Sequence, residues 1–345
     1  MSIAIASEPL NASPTWRQFQ YACLCVVIVL AVGCAIYAVE TLILGCEHRF
    51  VENPADTMTR AIGLAHFSIG WLFLFTSPRL RNSASLARLA FWTLFGIGFC
   101  WIFATNGADK NPLLMMAFYS FFFIHEVCDE AWLYQQSGES CDEPARAEQF
   151  LPSLCWTMSL GLMATLAGFQ IVRGHLWGRS QLLQSSSTVW LLSAWALLTI
   201  LAVIALCYML RQIHTLYGSV NEMIAHYRPL LAVYAGISTI LLVGSMFGSV
   251  GANLVILVHG LTWLVCTHRN LSERNDPIDG WWSWLRKSPT GFLTLHVVVI
   301  GLALVLFALR THLWERTGFV CDLVSKTWFP YWSIMHIAMA FWRSK

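Results

Sequence analysis

The stretch Val189-Trp-Leu-Leu-Ser-Ala-Trp-Ala-Leu-Leu-Thr-Ile-Leu-Ala-Val-Ile-Ala-Leu-Cys-Tyr-Met-Leu210 decides the fold class of this chain. It contains no Asp, Glu, Lys or Arg. A continuous apolar run of this length is what a helix needs to cross about 30 Å of hydrocarbon. The strands of a membrane barrel would instead alternate polar and apolar residues. The stretch therefore predicts a transmembrane α-helix.

The rest of the chain repeats this pattern. Of its 345 residues, 57% are hydrophobic and only 12% are charged, whereas a soluble domain carries about a quarter of charged residues. The runs predict an all-α fold, a polytopic transmembrane bundle of about ten spans with short loops, with nine or eleven spans as alternatives. The expected spans are Phe19–Leu44, Ala61–Phe75, Leu86–Thr105, Pro112–Tyr134, Leu151–Val172, Val189–Leu210, Leu230–Ser249, Ala252–Cys266, Phe292–Leu309 and Trp328–Trp342.

The spans imply a simple domain organisation. Residues 1–18 form a short N-terminal segment, and residues 19–343 form one transmembrane helical domain. The first apolar run is too long for the core of a cleaved signal peptide, so we expect it to be retained. Loops on the N-terminal side carry more Lys and Arg than those on the opposite side, which predicts that both termini are cytoplasmic.

Two loops and one cysteine pair carry further expectations. Residues 135–150 form an acidic loop, and the Trp-rich cytoplasmic loop 268–289 suits a short helix in the headgroup layer. Cys46 and Cys321 fall on the same non-cytoplasmic side, where a disulfide between them could persist, although spacing alone says nothing about their proximity. The net charge of +2 and the absence of a basic stripe exclude nucleic acid as a partner, leaving membrane lipids. No feature of the sequence indicates an oligomeric state.

The most unusual polar cluster lies in the fourth expected span, where four titratable residues fall within six positions: His125, Glu126, Asp129 and Glu130. At helical spacing His125 and Asp129 share one face, and the two glutamates share the adjacent face. A charged group at the bilayer centre costs about 2.5–3.5 kcal/mol on insertion scales. These side chains are therefore expected to face protein, water or a metal.

Other histidines also fall within expected spans. His259 and His336 lie near the expected midplane with His125, while His66 lies towards the outer side and His296 towards the cytoplasm. A single membrane histidine most often makes one hydrogen bond between helices and has no further role. Several histidines on different helices, beside a carboxylate, instead favour a metal site. The predicted ligands are His66, His125, Asp129, His259 and His336.

Two main functions fit these residues. In the first, the protein is a metal-dependent membrane enzyme, a hydrolase or an oxidoreductase, in which Glu126 and Glu130 are the catalytic residues. The short loops leave no room for a water-soluble active site, so its substrate would be a lipid-like small molecule. Iron or zinc is the expected metal, since imidazole and carboxylate suit both. No HExxH or GxSxG motif specifies the reaction further.

In the second, the protein is a proton-linked transporter that uses the same residues as a relay. The expected spans lack the paired Gly or Pro interruptions that mark broken transporter helices. Proline residues near span ends are instead expected to start helices: Pro152, Pro229, Pro289 and Pro330. A haem held between two histidines is the less favoured cofactor. A purely structural membrane subunit is the remaining alternative.

Overall fold

The computed structural model describes residues 54–77, 80, 82–106, 112–136, 143–177, 187–245, 249–273, 277–325 and 328–341. Regular structure in these ranges is helical, and they contain no strand. The ten described helices are α1 (Pro54–Phe75), α2 (Ser83–Thr105), α3 (Pro112–Gln136), α4 (Pro144–Trp177), α5 (Ser187–Tyr217), α6 (Val220–Ser245), α7 (Ser249–Glu273), α8 (Gly280–Lys287), α9 (Pro289–Asp322) and α10 (Phe329–Ala340).

Local sequence explains where several of these helices begin. Proline is the first residue of α1, α3, α4 and α9, a position at which its missing N–H costs nothing. The side chain of Ser219 accepts a hydrogen bond from the Glu222 amide at 3.2 Å and caps α6. Ser288 caps α9 in the same way, accepting from the Gly291 amide at 3.2 Å. Gly218, at φ +72°, makes the turn between α5 and α6.

Five of the helices contain segments that are long and apolar enough to cross a membrane, which indicates an integral membrane protein. They are Thr57–Phe75, Ser83–Thr105, Pro144–Gly168, Val189–Tyr217 and Pro289–Leu309. The Val189–Tyr217 segment is the most exposed, since only 6% of its apolar window is buried. Trp190, Val189 and Ile204 on this helix are each more than half exposed. Such a surface suits a lipid environment.

The predicted all-α fold class is confirmed for the described residues. Nine expected spans coincide with helices, while Phe19–Leu44 lies outside the described residues. The ten-span count and the cytoplasmic placement of both termini stay predictions. The same holds for a Cys46–Cys321 disulfide, because Cys46 also lies outside the described residues.

Several predicted boundaries were wrong. The acidic loop 135–150 is shorter than expected, because α3 continues to Gln136 and α4 already begins at Pro144. Pro152 and Pro229 lie inside α4 and α6 rather than at their starts. In both cases the helix extends into the polar residues before the apolar run, which the hydropathy pattern alone does not reveal. Within the loop 268–289, the expected short helix is present as α8.

The described chain divides into two compact units, whose boundaries fall within α2 and α7. Unit I comprises the described residues of Ile102–Val255, and unit II those of Leu44–Trp101 and Ile256–Arg343. The core of unit I is rich in fully buried aromatic residues, among them Phe123 and Tyr227. In unit II, α9 packs against α1, and the buried residues Ala65, Ile69, Leu271 and Phe292 form one cluster.

Candidate metal centre

Three buried histidines meet within unit II, each from a different helix. His66 lies on α1, His259 on α7 and His336 on α10, each close to the middle of its helix. Their exposed fractions are 4%, 1% and 9%. Each belongs to the buried stripe of its helix, which is why the helical period turns all three imidazoles inward.

The three side chains converge through the same ring atom. The Nε2 atom of His66 lies 3.1 Å from Nε2 of His259 and 3.1 Å from Nε2 of His336. One nitrogen from each of the three side chains lies within 4.8 Å of the other two. The ring centroids of His66 and His259 are 4.8 Å apart, and those of His66 and His336 are 4.6 Å apart.

The three nitrogens cannot all be satisfied by hydrogen bonds to one another. A neutral imidazole nitrogen carries either one proton or one lone pair, which points in a single direction in the ring plane. Nε2 of His66 therefore cannot form two well-aligned hydrogen bonds to its two neighbours at once. In every assignment of the tautomers at least one of the two short contacts is poorly aligned, whereas a cation between the three nitrogens could accept a lone pair from each of them.

The spacing suits a metal ion. Two nitrogens bound to a tetrahedral zinc, each about 2.0–2.1 Å from the ion, lie about 3.3 Å apart. The two 3.1 Å separations at His66 are close to this value. A zinc ion held by these three histidines would keep one ligand position for water or substrate, as in catalytic rather than structural zinc sites.

Aromatic side chains enclose the three histidines. The Trp263 ring lies 4.6 Å from the ring of His66, and the Phe67 ring lies 4.7 Å from that of His336. Apolar neighbours of this kind lower the local dielectric, which strengthens ion–ligand interactions. Because Trp263 follows His259 by four residues, helical spacing could have identified it, whereas no sequence signal marks Phe67.

His296 occupies the same unit but does not join this group. Its Nδ1 atom lies 2.9 Å from the carbonyl oxygen of Phe292 and must donate to it, because a carbonyl only accepts. Its ring packs on Phe292 at 4.3 Å and on Trp263 at 5.8 Å. His296 is as buried as the three converging histidines, so burial alone does not distinguish a ligand from a packed histidine.

The polar cluster of α3 lies in unit I. As expected from helical spacing, His125 and Asp129 share a face, with Nε2 and Oδ2 3.8 Å apart. His125, Glu126 and Glu130 are buried, whereas the Asp129 side chain is 38% exposed. The metal-binding role of the first pair and the catalytic roles of the two glutamates stay predictions.

The position of His66 towards the outer side stays a prediction, but the predicted start of its helix was wrong. The apolar run starts at Ala61, which places His66 near one end of a short span, but α1 begins at Pro54. The added turns move the centre of the helix towards His66. The residues before Ala61 are polar, so hydropathy misses these turns.

Comparison of the chain with protein-family models, with characterised proteins and with solved structures found no match. The chemistry of the site therefore has to be inferred from its own geometry.

Proposed function

We propose that the protein is a membrane metalloenzyme in which His66, His259 and His336 bind one zinc ion. The observation that carries the proposal is the convergence of three buried Nε2 atoms from three helices, at 3.1 Å from the central one. A zinc ion held by three imidazoles supplies an activated water molecule at neutral pH. Hydrolysis is therefore the favoured reaction class.

The ligand chemistry favours zinc over iron within this group. The non-haem iron sites that activate oxygen typically use two histidines and one carboxylate. The group in unit II consists of three neutral imidazoles and contains no carboxylate. Three imidazoles are one of the ligand sets of catalytic zinc ions that activate water, so zinc is favoured over iron, the other metal that the sequence leaves open.

The surroundings favour a lipid-like substrate. His66 lies in Thr57–Phe75, one of the five segments that could span a membrane, and aromatic rings surround the histidines. A substrate that enters such a region must itself be largely apolar. An ester or amide of a fatty acid combines an apolar body with a bond that activated water can cleave.

Haem does not fit this group. Two axial histidines must face each other across a flat macrocycle, which lies between their nitrogens. Because the Nε2 atoms of His66 and both partners are only 3.1 Å apart, no space for the macrocycle exists between them.

A proton relay is the second candidate function, and one observation favours it. Imidazoles in direct Nε2 contact can share a proton, and the buried acidic residues of α3 are typical of proton-translocating proteins. In this case the group of histidines binds no metal ion, and the protein carries protons in a reconstituted membrane.

Metal analysis of the full chain, purified in detergent without chelators, separates the two functions. We expect about one zinc per chain, lost in His66→Gln, His259→Gln and His336→Gln but retained in His296→Gln. The His296 variant is a matched control, because His296 is a buried histidine of the same unit. A protein that binds no metal even when zinc is supplied, and that carries protons in proteoliposomes, would contradict the enzyme proposal. That result would support the proton relay.

A loaded protein then allows the reaction to be tested. We expect it to hydrolyse an acyl ester presented in mixed micelles, with activity that is lost on zinc removal and restored by zinc. A loaded protein that cleaves no acyl ester or amide would leave the metal site intact but overturn the hydrolase proposal.

A further inference from the structure

A small groove on unit I is lined by none of the three converging histidines and has its own chemistry. It lies between α4 and α5, has a volume of about 170 Å³, and is lined by Gln149, Pro152, Ser153, Trp156, Ala205, Tyr208 and Gln212. Both helices contain segments apolar enough to span a membrane, and few residues of the α5 segment are fully buried. The groove therefore opens onto a surface that contacts lipid.

Polar groups of the groove form a connected chain. The Ser153 hydroxyl donates to Phe150 O or to Oε1 of Gln212, and Nε2 of Gln212 donates to the Tyr208 hydroxyl oxygen at 3.0 Å. Within the described residues, no acceptor takes the Tyr208 hydroxyl proton. This proton and the second amide hydrogen of Gln212 are thus available to a ligand that accepts hydrogen bonds.

The groove changes from polar to apolar along its length. Gln149 lies five residues after the first residue of α4, and Gln212 lies five residues before the last residue of α5. At 1.5 Å per residue, both amides lie about 7–8 Å from their helix ends. Trp156 and Ala205 are each twelve residues from the same ends, about 18 Å along the helices. The amides thus lie nearer the end of the groove that faces the membrane surface.

The geometry points to a binding site for a glycerolipid acyl chain, with the ester carbonyl accepting hydrogen bonds from Tyr208 and Gln212. The hydrocarbon continues past Ala205 and the Trp156 ring, which are half-buried and 44% exposed, respectively. The groove-lining polar groups are neutral, so they suit an ester carbonyl better than a phosphate. This order of polar and apolar groups matches that of an acyl ester in one bilayer leaflet. The inference does not depend on the metal centre.

Photochemical crosslinking tests the site in the intact chain. The protein is reconstituted in phosphatidylcholine nanodiscs that contain a trace of phosphatidylcholine with a diazirine in its acyl chain, and labelled residues are mapped by mass spectrometry. We expect labels to concentrate at Trp156 and around Ala205. Labels spread evenly over the exposed face of α5 would overturn the proposal.

Two variants separate the groove from ordinary lipid contact. Ala205→Phe fills the apolar end and is expected to lower labelling about fivefold or more. Ala196→Phe makes the same change at an exposed position of α5 outside the groove, and should leave labelling unchanged. Equal labelling in both variants would contradict a specific site.

The carbonyl contact has its own test. A dialkyl ether analogue lacks the ester carbonyl, so it should label the groove about three- to tenfold less than the diester. Tyr208→Phe should remove most of this preference while keeping the apolar contacts. Equal labelling by ester and ether lipids in the unmodified protein would overturn carbonyl recognition.

Discussion

Units I and II each contain a cluster of buried titratable residues, but the two clusters are built in different ways. In unit I the four residues of the cluster follow one another on α3, and helical spacing alone relates His125 to Asp129. In unit II three histidines come from three helices, and His66 is 193 and 270 residues away from its two partners. The first cluster is a property of local sequence, whereas the second exists only because of the fold.

This difference has a chemical consequence. Residues four apart on one helix point in similar directions, so two of them can contact an ion from one side only. Side chains from three helices can approach a point from three directions, as tetrahedral coordination requires. Unit II therefore has the better geometry for a metal ion, although unit I has the more conspicuous sequence.

The largest expected effect comes from His66→Gln, because His66 contacts both other histidines. Structural zinc sites contribute about 10–16 kcal/mol over four ligands, so one ligand accounts for about 3 kcal/mol, or at least about 100-fold in affinity. Zinc titration of the metal-stripped protein, monitored by its thermal unfolding, measures this loss. An unchanged zinc affinity would show that His66 is not a ligand of the metal.

Trp263→Ala tests the wall of the site. The partly buried ring packs on His66 and on Phe292, and because deleting a fully buried aromatic side chain costs about 3–5 kcal/mol, this change should cost somewhat less. We expect a clear fall in the unfolding temperature in detergent. Trp281→Ala is the matched control, since Trp281 is 73% exposed in the same unit, and it should change stability by no more than about 0.5 kcal/mol. Equal effects of the two would contradict the enclosed site.

His125→Gln asks whether the metal ligands predicted from sequence include α3. We expect zinc affinity to fall much less than it does in His66→Gln, because His125 is not one of the three proposed ligands. The three histidines of unit II already provide a sufficient ligand set. Loss of zinc as complete as that in His66→Gln would show that His125 is a ligand. It would then support the larger set of ligands predicted from the sequence.

Tyr234→Phe is expected to have the smallest effect. The buried Tyr234 hydroxyl donates to the carbonyl of Val127 at 2.7 Å within unit I. Removing one such bond costs about 1 kcal/mol, visible as a slightly lower unfolding temperature, with zinc content unchanged. Zinc loss in this variant would show that the stability of unit I and the metal site cannot be separated.

The sequence predicts the helices better than it predicts their packing. Nine apolar runs mark helices because a spanning helix must be continuously apolar, and Val189–Leu210 lies wholly within α5. Hydropathy does not predict helix starts such as Pro144, because the first turns of these helices are polar. The candidate ligands His66, His259 and His336 can be selected as polar residues in apolar runs, but their contacts depend on how α1, α7 and α10 pack.

His296 shows the limit of this selection. It is as apolar in its surroundings as His259, yet its ring packs on Phe292 and hydrogen-bonds to that residue's backbone. Its immediate sequence neighbours do not distinguish it from a ligand, and only its expected depth, towards the cytoplasm, separates it from the predicted ligands. The direction in which each imidazole points is a tertiary property.

X-ray absorption at the zinc edge of the loaded protein tests the metal centre most directly. We expect three imidazole nitrogens and one further light atom at about 2.0–2.1 Å from the ion, with imidazole scattering reduced in His66→Gln and unchanged in His296→Gln. Sulfur at about 2.3 Å, which would indicate cysteine ligands, or imidazole scattering that is the same in both variants, would contradict a zinc site formed by His66, His259 and His336.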